Sequence, residues 1–234
     1  MAFFTAATFD FLSGLRAHNE KPWFEAHRGD YERHVKEPMQ ALVAAMDARF
    51  ARFAPEIGGD PRRSVFRIHR DVRFSKDKSP YKTHVASWFF HRGAHARVGQ
   101  ESEGGSAGFY VHVAPGESFL GGGLWMPPRP TLDRLRAAIA ADPRGFAKVV
   151  ASPAVKKRFG GLSTESMLKR MPRGYADDHP AGDWLKHQSF TLGRRITDKQ
   201  VTSAKLPALL EADFTLLLPL VRWLNAVLGL PAKR

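Results

Sequence analysis

The sequence predicts an α+β fold in which helices pack on a central antiparallel sheet. Apolar residues recur at helical spacing in the N-terminal part and again near the C-terminus. Between these parts the apolar period changes to two, which is typical of strands with one buried face. Because these strand-like stretches follow one another without a helical stretch between them, the sheet should be antiparallel. A chain of 234 residues with 43% hydrophobic side chains can bury such a core, and we expect a single domain over residues 1–234.

Helices are predicted over about residues 8–57. Thr8 can cap a first short helix, and Asn19 can end it or cap the next. The longer helical stretch that follows contains Pro38, which should kink or divide it because proline has no N–H and clashes with the preceding turn. The glycine pair at residues 58–59 should end this helix.

Antiparallel strands are predicted over about residues 62–126. In SVFRIHRDVRF, alternate positions form an apolar face and a polar face, with Arg70 as the exception on the apolar face. This pattern predicts a half-buried strand. The stretch at residues 99–108, GQESEGGSAG, is typical of a flexible hairpin loop. Three more strands, the last two joined by a tight turn at APGE, are predicted in HVASWFFHRG and GFYVHVAPGESFLGGGLWMP.

The rest of the chain is predicted to be mostly helical, over about residues 131–187 and 206–229, with a possible strand over about 188–196. The pairs Asp142-Pro143 and Ser152-Pro153 each place a capping residue before a proline at the first helical position. We therefore expect a helix to begin at each pair.

The charge is strongly basic and unevenly distributed. The chain has 36 Lys and Arg against 23 Asp and Glu, a formal net charge of +13. Residues 67–97 are the most basic part per residue, and a second basic cluster lies in VKKRFGGLSTESMLKRMPR. Such charge favours anionic partners, although it does not distinguish nucleic acid from phosphate or carboxylate.

Several chemistries are excluded or disfavoured by composition and motif. The chain has no cysteine, which excludes disulfides, thiolate nucleophiles and cysteine-bound zinc or iron-sulfur sites. It has neither a P-loop nor a dinucleotide-binding glycine motif. We therefore expect no cofactor.

The expected location is the cytoplasm. The N-terminus has no basic region of the kind that opens a signal peptide, and Asp10 interrupts its apolar stretch. The longest nearly apolar run, FTLLLPLV, is far shorter than the roughly 20 residues of a membrane-spanning helix. We expect no membrane association.

The most basic segment is the candidate binding site. Residues 67–84, RIHRDVRFSKDKSPYKTH, hold six Lys or Arg against two Asp. On a strand Arg67, Asp71 and Arg73 would project the same way, so two guanidinium groups could flank a carboxylate. Guanidinium, ammonium and phenol groups together suit a phosphate or carboxylate ligand. The predicted ligand-binding residues here are Arg67, Arg70, Arg73, Lys76, Lys78, Tyr81 and Lys82.

A glycine-rich strand is the second candidate feature. Gly121, Gly122 and Gly123 remove side chains from both faces, which allows a ligand, an aromatic ring or another backbone to approach closely. These glycines, with His112, could form the floor of the basic site, and the glycines and Trp125 belong to the predicted ligand-binding set. The alternative is a purely structural bulge that packs against Trp125 or Trp88.

A metal site is not expected. His69 and Asp71 have the spacing seen in some iron sites, and His112 could supply a third ligand. Arg67 and Arg73 beside the carboxylate would repel a cation, however. If the basic site is catalytic, Asp71 or His112 is the candidate acid or base.

The chain also carries, in this order, the motifs NEKPWFEAHRGDY, FRIHRDVRFSKDKSPYKTH, GFYVHVAPGESFLGGGLWMP, LKRMPRGY and DHPAGDWLKHQSF. Together they resemble the domain of unknown function 2461 family of bacterial and fungal proteins. The resemblance runs from about Phe9 to the C-terminal helix, and it implies an α+β single-domain protein with no established activity and no assigned catalytic residues. His112 matches the family pattern, whereas His69 stands where the family usually has an aromatic residue, which weakens an iron site further.

Three functional hypotheses follow from the residues. The first is binding of a small phosphorylated or other anionic ligand at the basic segment, with hydrolysis or phosphoryl transfer as an open extension. The second is nucleic-acid binding through the basic surface, although no known nucleic-acid motif is visible. The third is a structural or interaction protein in which Asp71 and Asp77 neutralise neighbouring arginines. The oligomeric state stays open.

Overall fold

The computed structural model describes residues 1–94 and 105–232. It confirms the predicted α+β class, with an antiparallel sheet and helices before and after it. The strands are β1 (Ile57–Gly58), β2 (Val85–His91), β3 (Gly108–Val113), β4 (Phe119–Leu124) and β5 (Phe190–Arg195). The helices are α1 (Ala6–Ala17), α2 (Lys21–Ala26), α3 (Arg28–Tyr31), α4 (Glu37–Phe53), α5 (Arg129–Ala141), α6 (Pro143–Val150), α7 (Pro153–Phe159), α8 (Gly182–Leu185), α9 (Asp198–Val201) and α10 (Leu206–Val227), with a π-helical turn at Glu32–Lys36.

The strands pair in the order β1-β2-β3-β4-β5, each antiparallel to the next. The predicted tight turn joins β3 to β4, and its Gly116 has a φ of 70° that favours glycine. As a result, the start of β2, the end of β3 and the start of β4 meet at one edge of the sheet. His84, His112 and Phe119 lie at this edge. Of the loop predicted at residues 99–108, residues 99–104 lie outside the described part of the chain.

The prediction of a regular strand at SVFRIHRDVRF was wrong. Phe74, expected on its apolar face, is 94% exposed. The facing segment contains Pro80, which has no N–H to donate, and the Asp77 carboxylate accepts the Ser79 N–H at 2.9 Å. Local side-chain hydrogen bonds therefore replace a strand ladder. Pairing is confined to isolated bridges, Val65 with Ser87 and His69 with Tyr81.

The first helix begins earlier than predicted. Thr5, and not Thr8, is the N-cap of α1, and its N–H donates to the Thr8 hydroxyl at 3.1 Å. The Thr8 hydroxyl donates to the His34 carbonyl at 2.8 Å. Because Pro38 has no N–H, this carbonyl lacks its usual partner within the helix. The helical path nevertheless continues through Pro38, preceded by the π-helical turn.

The long N-terminal helix also ends earlier than predicted. α4 ends at Phe53, whereas Gly58 lies in β1 and Gly59 follows it. A Cβ on Gly59 would lie 2.8 Å from the Phe89 ring and 3.0 Å from Val43. The glycine at position 59 therefore serves close packing of α4 on the sheet and not helix termination.

The predicted helical stretch at residues 131–187 is shorter and interrupted. Helices begin at the capping residues Asp142 and Ser152 as predicted, and each side chain accepts a backbone N–H of its own helix. After α7, residues 160–181 form turns and bends, since Gly160 and Gly174 adopt φ of 82° and 92°. The strand and C-terminal helix predicted after this stretch are present as β5 and α10.

Helices α4 and α10 cover one face of the sheet. Phe50 of α4, Phe214 of α10 and Phe89 and Phe109 of the strands are fully buried there, with the Phe109 and Phe214 rings stacked at 4.4 Å. The opposite face, called the outer face below, carries Trp88, Phe90, Tyr110, His112 and Phe119. Among the helices of residues 1–94 and 105–232, none is long and apolar enough to cross a membrane.

Candidate functional site

A cavity of 360 Å³ lies at the sheet edge where β2 begins, between the end of α1 and the basic segment. We call it the basic cavity. Among the described residues, three cationic side chains line it, Arg16 from α1 and Arg70 and Lys82 from the basic segment, together with one carboxylate, that of Asp77. Its lining residues are Arg16, Asn19, Arg70, Asp77, Ser79, Tyr81, Lys82, Thr83 and His84.

Asn19 attaches the basic segment to the N-terminal helices. Its side-chain amide donates to the Tyr81 carbonyl at 2.9 Å, and its side-chain oxygen accepts the Tyr81 N–H at 3.0 Å. The Tyr81 ring stacks on Phe24 of α2 with centroids 4.2 Å apart. Burial raises the pKa of the Tyr81 phenol, and the nearby Glu25 carboxylate adds to this shift. The backbone at Tyr81 is thus held on both sides, which positions Lys82 and His84.

The cations of the cavity are partly engaged by neighbouring groups. Arg16 forms a solvent-exposed ion pair with Glu117 at 3.3 Å. Arg70 pairs with Asp77 and also donates to the Ser79 carbonyl at 3.2 Å. Both side chains nevertheless keep part of their surface accessible, since Arg16 is 48% and Arg70 27% exposed.

Asp77 is held ionised by its own loop. Hydrogen bonds from the Ser79 hydroxyl and backbone N–H, followed by the Arg70 guanidinium, lower the pKa of Asp77 to about 2. The cavity therefore contains one permanent negative charge beside Arg70 at neutral pH. Lys82 donates from its ammonium to the Arg67 carbonyl at 3.0 Å and lies 5.3 Å above the Phe66 ring.

Two histidines adjoin the cavity at the sheet edge. The rings of His84 and His112 are 4.1 Å apart, and the Tyr110 hydroxyl lies 3.2 Å from His112 Nδ1. Burial lowers the pKa of His84 to about 4, helped by Lys82, and burial lowers the pKa of His112 to about 3, helped by His84. Both imidazoles are therefore neutral at pH 7, so each can donate one hydrogen bond and accept another.

These pKa shifts predict a loss of stability in mild acid. Between about pH 6.5 and pH 4 the unfolded chain binds protons at both positions while the folded chain does not, so the free energy of unfolding falls as the pH falls. We expect a loss of roughly 1 kcal/mol from the pair between pH 6.5 and pH 5, discounted for partial exposure. The melting temperature, measured across this pH range, should change less with pH for His112→Asn than for the wild type.

A third histidine, His187, also contributes to this pH dependence. Burial also lowers its pKa, so it contributes to the same pH range from a different part of the molecule. Replacing His112 should therefore remove only part of the slope. An unchanged slope in His112→Asn would contradict the assignment to the histidine pair.

The structure brings together only part of the predicted ligand set. Arg70, Tyr81 and Lys82 line the basic cavity. Asp71 instead forms a bidentate pair with Arg73, whose hydrogen bonds lower the Asp71 pKa to about 2. The predicted residues that are not among the lining residues are Arg67, Asp71, Arg73, Lys76, Lys78, His112, Gly121, Gly122, Gly123 and Trp125.

The glycine strand lies in β4, between β3 and β5, and its glycines have different surroundings. A Cβ on Gly122 would lie 2.9 Å from the Phe109 ring and 3.3 Å from Leu217, so Gly122 allows α10 to pack closely on the sheet. Gly123 has a φ of 134°, and a Cβ there would lie 2.0 Å from the Phe190 carbonyl. Trp125 is 66% exposed. Gly122 and Gly123 therefore have structural roles. Gly122 packs closely on Phe109 and Leu217, and Gly123 on the backbone of Phe190, whereas the expected packing was on the tryptophans.

The lining residues that sequence reasoning missed are Arg16, Asn19, Asp77, Ser79, Thr83 and His84. Arg16 of α1 and Asn19 just after this helix reach the cavity from a part of the chain far before the basic segment, and no spacing pattern indicates this. His84 ends the basic segment and begins the predicted strand HVASWFFHRG, so its position where the two meet was a usable signal. Within the described residues, no group of three or more His, Cys, Asp or Glu side chains could hold a metal ion.

Comparison with known proteins confirms the family resemblance. The family described as Conserved hypothetical protein (DUF2461) matches residues 7–223, which include α2, the basic segment, the whole sheet and most of α10. No curated protein and no solved structure matches the chain. The chain therefore belongs to the DUF2461 family.

Proposed function

We propose that the protein binds a small anion, a phosphate ester or a carboxylate, in the basic cavity. The supporting observation is that Arg16, Arg70 and Lys82 converge there from separate parts of the chain. Two cations of this set come from a segment that is fastened to the helices through Asn19. An anion at this position would replace weak protein contacts with charge-assisted hydrogen bonds.

The Arg16–Glu117 pair is the contact that an anion would most easily displace. Both side chains are about half exposed or more, at 48% and 62%. Exposed ion pairs of this kind contribute little to stability, about 0–1 kcal/mol. A phosphate oxygen could therefore take the place of the Glu117 carboxylate on Arg16 without a large structural cost.

The proposal is restricted to binding. The described residues that line the cavity include neither Asp71 nor His112, the two candidate acid or base groups. Hydrolysis or phosphoryl transfer would need an activated water or hydroxyl within hydrogen-bond reach of such a group. Release of inorganic phosphate from phenyl phosphate is the assay that would extend the proposal to catalysis.

The two other hypotheses predict different results. If the basic segment is an ion-pair network, losing Arg70 lowers stability and changes no ligand response. If the protein binds nucleic acid, affinity falls steeply with salt and depends on many surface cations, including the exposed Lys156 and Lys157. A compact cavity should show weaker salt dependence and a strong effect of a few residues.

The test is isothermal titration calorimetry, which measures the dissociation constants of inorganic phosphate and glycerol phosphate for the purified protein at two salt concentrations. Arg16→Gln should weaken binding by about tenfold or more, because a hydrogen bond to a charged group contributes about 1.5–3 kcal/mol. Glu117→Gln should have the opposite effect and increase the affinity for the anion, since it removes the carboxylate that pairs with Arg16.

Arg67→Gln is the matched control. Arg67 carries the same charge as Arg16, lies in the basic segment close in sequence to Arg70, is exposed, and is not among the residues that line the cavity. It should change the dissociation constant by less than about twofold. Equal weakening by Arg16→Gln and Arg67→Gln would indicate diffuse attraction and contradict a cavity. Binding only of short oligonucleotides, lost at the higher salt, would favour the nucleic-acid hypothesis instead.

A further inference from the structure

The outer face of the sheet continues from the basic cavity as a row of rings. His84 lines the cavity, its ring lies 4.1 Å from His112, and His112 stacks on Phe119 at 4.6 Å. Tyr110 closes the row beside Phe119 at 5.4 Å. His84 directly precedes β2, Tyr110 and His112 belong to β3, and Phe119 begins β4. Phe119, the first residue of β4, is 37% exposed, which is high for a phenylalanine.

A surface without side chains lies next to this row. Gly121 is paired with Tyr110 on one side and with Gly193 on the other, and paired positions project to the same face of a sheet. The three atoms nearest to a Cβ built on Gly121 all belong to the backbone of β5, as do those of β4 for Gly193. No side chain therefore projects from these two positions toward the solvent beside Phe119.

This arrangement has the features of a stacking surface. An exposed phenylalanine ring beside a flat glycine floor leaves room for a planar group to lie on the sheet and against the ring. Neutral imidazoles lie between this surface and the cavity. Because Nδ1 of His112 already contacts the Tyr110 hydroxyl, the groups that could hydrogen-bond a sugar or another polar linker are His84 and the other ring nitrogen of His112. Gly122, by contrast, faces the helices and is closed by Leu217.

We infer that the ligand is a phosphate monoester that carries a flat ring, with its phosphate in the basic cavity and its ring on Phe119 above Gly121. Nucleoside monophosphates and aryl phosphates share this chemistry. The inference rests on the proposed function, since the phosphate is held by Arg16, Arg70 and Lys82. It adds to that proposal the chemical class of the ligand, and it names Phe119 as the residue that selects this class.

The test compares three esters by titration: glycerol phosphate, which has no ring, phenyl phosphate, which has a ring next to the phosphate, and adenosine monophosphate, which has a ring beyond a sugar. At least one ring-bearing ester should bind about tenfold or more tightly than glycerol phosphate, the scale of one stacking contact. Tighter binding of adenosine monophosphate would identify a nucleotide, and tighter binding of phenyl phosphate would identify an aryl ester.

Phe119→Leu tests the position of the ring. Leucine keeps an apolar side chain on β4 and removes the flat surface, so the fold should persist. In this variant, the ring-bearing esters should no longer bind more tightly than glycerol phosphate. The dissociation constant for glycerol phosphate should stay within about twofold of the wild-type value. Phe74→Leu is the matched control, because Phe74 is an exposed phenylalanine of the basic segment that does not lie on the outer face. It should leave all three affinities unchanged.

Two results separate this inference from the proposed function. Equal affinity for all three esters, or a full ring-dependent gain retained in Phe119→Leu, would overturn the inference while the anion cavity stands. Absence of glycerol phosphate and inorganic phosphate binding would overturn the proposed function, and the inference would fall with it.

Discussion

Asp213→Asn is expected to lower the free energy of unfolding by about 3–5 kcal/mol, the usual effect of removing one partner of a buried ion pair. The Asp213 side chain is 1% exposed on α10, and its two oxygens accept hydrogen bonds from Arg158 at 2.5 Å and from Arg194 at 2.9 Å. Arg158 belongs to α7 and Arg194 to β5. Without the carboxylate, two guanidinium groups face each other across the junction of three elements.

Urea denaturation measures this effect, with Glu211→Gln as its control. Glu211 lies on the same helix and also pairs with two arginines, Arg49 and Arg52, but its side chain is 27% exposed. We expect Glu211→Gln to cost about 1 kcal/mol or less, because solvent screens exposed pairs. Similar losses for the two variants would show that burial does not account for the effect of Asp213.

Gly123→Ala is expected to destabilise the protein by about 2–6 kcal/mol, from two additive causes. A φ of 134° is accessible essentially to glycine alone, and a side chain there costs about 1–3 kcal/mol. In addition, the new Cβ would lie 2.0 Å from the Phe190 carbonyl, and relieving such overpacking costs about 1–3 kcal/mol more. Because Gly123 pairs with β5, the shift should weaken the β4–β5 ladder.

Two other glycines separate these causes in the same denaturation experiment. Gly116 has a φ of 70° with no atom within 4 Å of a built Cβ, so Gly116→Ala should show the backbone cost alone, about 1–2 kcal/mol. Gly29 lies in a helix with open space and no such φ, so Gly29→Ala should be neutral or stabilising by up to about 1 kcal/mol. If Gly123→Ala costs no more than Gly116→Ala, then the close approach of β5 is not a constraint.

The sheet shows which elements a periodic pattern can predict. HVASWFFHRG contains β2, and GFYVHV, which has the period of a strand, is β3; the two strands pair with each other from Val85 to Phe90 and from Gly108 to Val113. SVFRIHRDVRF has the same period, yet it makes only isolated bridges. Alternation describes the two faces of a strand but contains no information on whether a second strand can supply the matching N–H groups. Here Pro80 and the Asp77 hydrogen bonds prevent it.

The candidate site was predictable to a similar degree. Charge density along the chain pointed to the basic segment, and Arg70, Tyr81 and Lys82 of that segment do line one cavity. The remaining arginines could not be assigned by spacing, since Arg73 turns to its near neighbour Asp71 and Arg67 projects outside. Asp213 gave no signal at all, because an aspartate in an apolar helix cannot be matched to arginines on other elements from sequence.

By itself, the sequence determined the class of fold, many of the strands and helices, and the segment in which positive charge collects. Helical and strand periods arise from contacts between residues a few positions apart, so they are present in any short stretch of the chain. Only the tertiary structure decided that Arg16 and Asn19 meet Tyr81 and Lys82, and that the glycine floor lies beside Phe119. These contacts depend on how α1 packs against the sheet edge and how β4 pairs with β5, and the spacing of residues in the chain does not contain that information.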